Sequence, residues 1–128
     1  MQLIREIQEE YIISNSSDVY KYLKEFINED REYFIVLGLD SKNKVLYREI
    51  VSIGTLNSGL VHARETFKKA IIMSCNAIII AHNHPSGDPT PSDEDVRVKN
   101  KIEEAGEVLG IKVLDCIIIG KDSYERIK

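Results

Sequence analysis

All three prolines of this chain fall within seven residues, at Pro85, Pro89 and Pro91, and two of its three histidines, His82 and His84, stand just before them. Proline lacks an N–H and holds φ near −65°, so no interior strand or helix runs through 85–91. The element before this stretch must stop there, and the element after it must start afresh. The approach, Ala77-Ile78-Ile79-Ile80-Ala81-His82, is almost continuously apolar. Such a run between two helical patterns reads as a strand over 77–82 buried on both faces. The exit, Ser92-Asp93-Glu94-Asp95, opens a helix with Val98, Ile102, Ala105 and Leu109 inward, ended by Gly110.

The rest of the chain reads as support for that stretch. Residues 1–14 carry Leu3, Ile4, Ile7, Tyr11, Ile12 and Ile13 among charges, an N-terminal extension that suits a strand or a helical turn. Asn15-Ser16-Ser17-Asp18 is a helix start, and Val19, Tyr22, Leu23, Phe26 and Ile27 form one stripe of a helix over 18–28. Residues 33–53 read as a β-hairpin turning at 41–44. A loop over 54–59 leads to a helix over 61–74, with Asn76 as its left-handed stop. Residues 112–119 form a further strand, 120–124 a turn, and the last residues are polar. The order is roughly α-β-β-α-β-α-β, a mixed sheet with helices packed on it in a single domain spanning 1–128.

Composition narrows the function classes. At 128 residues the chain can bury a real core, and its 43% apolar and 30% charged content is that of a globular domain. No apolar run approaches a membrane span, and the N-terminus does not resemble a signal peptide. Cys75 and Cys116 lie in apolar segments, as buried thiols of a cytoplasmic protein would. A net charge of −4, with only Lys68-Lys69 as a basic cluster, argues against a broad nucleic-acid footprint.

In an extended strand, side chains at i and i+2 share a face. His82 and His84 therefore make a pincer for a borderline-soft divalent cation. A lone histidine is more often a satisfied core or surface residue. The pairing, beside an acidic helix start, puts the metal reading ahead. The third ligand stays open on spacing alone. Asp95 lies in the first turn of a helix, where the dipole favours a carboxylate. Yet Ser92-x-x-Asp95 is equally a capping box, and Asp88, Asp93 and Glu94 compete. Two histidines and a carboxylate would leave Zn2+ a fourth position for water, as catalytic zinc requires. For the accompanying base, Glu32 at the head of a strand and Glu65 on the helix before His82 both fit.

His82-x-His84, seven residues, then Ser92-x-x-Asp95 matches the motif of the JAMM metalloproteases, the JAB/MPN domain. The string from His82 to Ser92 resembles the bacterial RadC branch of that family. So do Asp40-Ser41-Lys42-Asn43, Gly54-Thr55-Leu56-Asn57, His62-Ala63-Arg64-Glu65, and Val113-Leu114-Asp115 with Ile118-Ile119-Gly120. The likeness covers about residues 15–122. It implies an α/β fold of the α+β type, MPN-like and cytidine-deaminase-like, with a curved mixed sheet flanked by helices. It implies zinc on His82, His84 and Asp95 with water as fourth ligand, and Glu32 rather than Glu65 as general acid/base. It implies Ser92 as a donor to the oxyanion, and cleavage of amide or isopeptide bonds. Cys116 stands where the family commonly has histidine, and Ala63 where it usually has proline.

The leading expectation is thus a zinc metallohydrolase acting on a protein or peptide. One alternative is a DNA repair-associated factor, binding nucleic acid or cleaving phosphodiesters. RadC proteins usually carry an N-terminal helix-hairpin-helix region, and here only a short segment precedes the domain, which weakens that role. A second alternative is a non-catalytic module that keeps zinc for structure. Oligomeric state is open, with the N-terminal segment as the place for a dimer.

Overall fold

A computed structural model describes residues 4–6 and 10–127 of the chain. Within them lies a six-stranded sheet ordered β1-β3-β2-β4-β5-β6. These strands are β1 (Ile4–Glu6), β2 (Tyr33–Leu39), β3 (Val45–Ile53), β4 (Ala77–Asn83), β5 (Lys112–Gly120) and β6 (Ser123–Arg126). Only β4 and β5 run parallel. A parallel pair needs a crossover, and the helix α3 (Asp93–Leu109) supplies it. Two further helices, α1 (Ser16–Leu23) and α2 (Ala63–Ile72), complete the fold.

Strands β2 and β4 are buried along their whole length because both faces are covered. Alternate residues serve alternate cores. Phe34, Val36, Ile78, Ile80, Cys116 and Ile118 pack with Phe67, Ala70, Val98 and Ile102 from α2 and α3. Ile35, Leu37, Leu39, Ile79, Ala81, Ile117 and Ile119 pack with Val19, Leu23 and Phe26 on the opposite face. Cys75 and Cys116 are free thiols in this interior. Burial pushes the Cys116 thiol well above its ordinary value, as expected of a small buried hydrophobe rather than a thiolate ligand.

The helix expected over 18–28 begins earlier and changes character. Asn15 caps it by accepting the Asp18 N–H at 3.0 Å, and residues 24–28 tighten into a 3-10 helix that seats Phe26 in the core. The left-handed stop after α2 is Ser74, with φ 53°, and not Asn76. By Asn76 the chain has joined the sheet, its N–H donating to the Leu39 carbonyl at 2.9 Å. The polar C-terminal residues are a strand. β6 turns back at Asp122, pairs with β5 and stacks Tyr124 on Tyr20, ring centroids 5.3 Å apart. Residues 4–6 pair with β3, and Ile12 bridges Lys44, so the N-terminal extension adds to the sheet. Leu3 and Ile7 lie outside the described residues.

Candidate metal centre

β4 delivers His82 at its buried end, on the face that Ile78 and Ile80 present to α2 and α3. The chain leaves the sheet at His84 but stays fastened to β5. The His84 N–H donates to the Ile119 carbonyl at 3.0 Å, and the Lys121 N–H to the Gly87 carbonyl at 2.8 Å. Gly87 takes φ 89°, which an L side chain resists. Gly120 is required by crowding, because a Cβ there would lie 2.5 Å from the Gly87 carbonyl oxygen and 2.7 Å from Pro89 Cδ. The proline loop is thus a fixed bracket.

The bracket orients the His84 ring. Its Nδ1 lies 2.9 Å from the Asp88 carbonyl oxygen. A carbonyl only accepts, so Nδ1 carries the proton and Nε2 is the atom offered to a cation. Opposite stands Asp95, buried in the first turn of α3. Its Oδ2 accepts the Ser92 N–H at 2.7 Å and sits 3.1 Å from His84 Nε2; its Oδ1 sits 2.9 Å from His82 Nε2. The Ser92 Oγ accepts the Asp95 N–H at 3.1 Å. The capping box of Ser92-x-x-Asp95 is complete, and its carboxylate also faces both imidazoles.

Electrostatics favours a charged cluster. Burial acts to raise the Asp95 pKa, but the close approach of His82 and hydrogen bonding from His84 and the Ser92 backbone outweigh it and hold the carboxyl well below the usual range. The Asp95 hydrogen bond, helped by the Asp88 carbonyl and the Asp95 and Glu32 charges, raises the His84 pKa against the lowering effect of burial.

The donor set fits a metal. One ligand atom from each of His82, His84 and Asp95 lies within 4.8 Å of the others. Both ring nitrogens of His82 are buried and neither makes a directed hydrogen bond, although Nε2 lies close to Asp95. A cation between the three would satisfy Nε2. Two imidazoles and a carboxylate suit Zn2+ and its neighbours in the first transition row. The competing acids point elsewhere. Asp88 accepts the Thr90 N–H and hydroxyl, Asp93 is exposed, and Glu94 accepts the Ser58 N–H and pairs with Arg97.

Glu32 lies immediately before β2, whose last ladder pair with β4 sets Phe34 beside His82. The Glu32 charge lies near enough to His84 to help raise its pKa. The Glu32 carboxylate accepts the Leu56 N–H at 2.9 Å, and the Glu32 carbonyl accepts the Gly54 N–H at 2.8 Å. Glu65 is exposed on α2 and paired with Arg64. Ser92 is exposed, and in accepting from Asp95 its hydroxyl keeps a proton to donate. Sequence reasoning passed over Asn83, which reads as a spacer between two histidines, and Gly120, whose role is visible only once Pro89 lies against it.

A mixed sheet with helices on both faces, and a His/His/Asp cluster between the end of β4 and the N-terminus of α3 that could hold a metal ion, defines an α/β domain with a candidate metal centre. The chain belongs to the RadC-like JAB domain family, whose profile matches residues 13–127. A UPF0758 protein of Desulforamulus reducens is 57% identical over 99 residues, covering 77% of this chain and 44% of that relative. One from Methanosarcina mazei is 50% identical over 117 residues, 91% of this chain and 51% of its own. One from Bacillus cereus is 45% identical over 124 residues, 96% and 55%. The chain spans about half the length of these relatives.

Proposed function

We propose that this domain is a zinc-dependent hydrolase of amide or isopeptide bonds in a protein or peptide. The supporting observation is the convergence of His82, His84 and Asp95, with the Glu32 charge near enough to act on His84. Zinc, when bound, would bring the pKa of a water toward ~7 and polarise a carbonyl. His82 Nε2, His84 Nε2 and an Asp95 oxygen would hold it. Glu32 takes the proton of the attacking water and returns it to the leaving amine. The Ser92 hydroxyl donates to the carbonyl oxygen as that atom gains charge. The net charge of −4 suits peptide chemistry better than phosphodiester chemistry.

Elemental analysis of protein purified without chelator tests the metal. We expect about one zinc per chain, and its loss in His84→Ala. Wild-type protein that holds no metal and cannot be reloaded would sink the proposal. Against quenched fluorogenic peptides and isopeptide-linked peptides, Glu32→Gln should keep zinc and lose about 10²–10⁴-fold in kcat. Undiminished turnover would instead move the base elsewhere.

A further inference from the structure

Asn83 lies between the two histidines in sequence and is fully buried. Its side chain does something different from theirs. The amide oxygen accepts the Tyr33 N–H at 2.7 Å, and the amide nitrogen donates to the Arg31 carbonyl at 2.8 Å. Those two peptide groups flank one residue, Glu32. A carboxamide offers an acceptor and a donor in one rigid plane. Binding both flanks therefore fixes the backbone of Glu32 in place and in rotation. The β2–β4 ladder ends at Phe34 and His82. Beyond that pair the Asn83 side chain stands where the ladder would have continued.

We propose that Asn83 is a positioning residue for Glu32. It ties the level of the proton-transferring carboxylate to the strand end that carries the metal-ligating imidazoles. The inference rests on the reading of Glu32 as the proton-transfer group. It adds that the group is aimed by a strut from the ligand strand rather than by contacts of its own carboxylate alone. A mere filler of the sheet end would need neither bond to straddle Glu32. With Asn83 shortened, Glu32 swings with its strand end, and its hold on the Leu56 N–H 2.9 Å away slackens.

Amide hydrogen exchange of the metal-free full chain reads this directly. Asn83→Ala should speed exchange about tenfold at both Tyr33 and Leu56, the scale of one lost hydrogen bond. Glu32→Ala should speed it at Leu56 alone. Asn83→Asp keeps the acceptor for Tyr33 and loses the donor for Arg31. It should protect Tyr33 and give an intermediate rate at Leu56, and it carries the test if Asn83→Ala does not fold. Faster exchange at Tyr33 with Leu56 unmoved would overturn the proposal. With the fluorogenic peptides, Asn83→Ala should lower kcat at unchanged zinc content and add no further loss to Glu32→Gln. An additive loss would make Asn83 a structural residue independent of Glu32. Full turnover by Glu32→Gln alone would remove the base itself, an outcome distinct from a failure at Leu56.

Discussion

The His84 ring donates Nδ1–H to the Asp88 carbonyl and pairs Nε2 with Asp95. That pairing makes stability depend on pH. The folded His84 pKa is raised above its ordinary 6.5, so its contribution is complete below 6.5 and is lost as pH climbs through the folded value. Asp95 is lowered from 3.8, so its contribution is present above 3.8 and is lost as pH falls through the folded value. Apo protein should therefore be most stable between these limits. Its Tm should fall, relative to that of His84→Ala, as pH rises above 6.5. Zinc binding needs the Nε2 proton gone, so the stabilisation by added zinc should grow over that same rise. Calorimetry with chelator and with zinc checks both. A wild-type-minus-variant Tm difference that stays level above pH 6.5 would remove the ion pair from the account.

The elements act as brackets for these residues. The proline loop is stapled to the end of β5, and Gly120 makes room for it. Gly120→Ala should push the loop off β5, destabilise the fold by about 1–3 kcal/mol and weaken zinc binding about 10–100-fold. Chelator competition measures the second effect; unchanged affinity would mean that the loop does not set His84. Strands β2 and β4 were legible because each is a dense apolar run, and β3 because it alternates in part and lies between turn residues. β6 was not, because Ser123, Tyr124, Glu125 and Arg126 carry no apolar alternation and are held by pairing with β5 and by the Arg126–Asp115 contact. The stop after α2 was misplaced by two residues for a similar reason. Which residue turns left-handed depends on where the Leu39 carbonyl meets the returning chain. Asp95 was legible as a cap, and no spacing could show that the same carboxylate also faces both imidazoles. Asn83 was illegible because its partners lie 50 and 52 residues away.

For the chain as a whole, net charge bears on nucleic-acid binding. With a net charge of −4, it should give no shift of duplex or branched DNA in gels even at about 50 mM salt. A shift that weakens steeply with added salt would restore the nucleic-acid reading. Among the described residues no helix is long and apolar enough to cross a membrane.

On the proposed reading, the capping box bears on lineages that would abandon hydrolysis. Ser92 and Asp95 begin α3, so selection for a folded chain alone would tend to keep both. His82 and His84 begin no element and lack that protection. In a silent descendant the histidines should drift first while the serine and aspartate persist. An intact aspartate would then testify to a helix, and only the histidines would testify to the proposed chemistry.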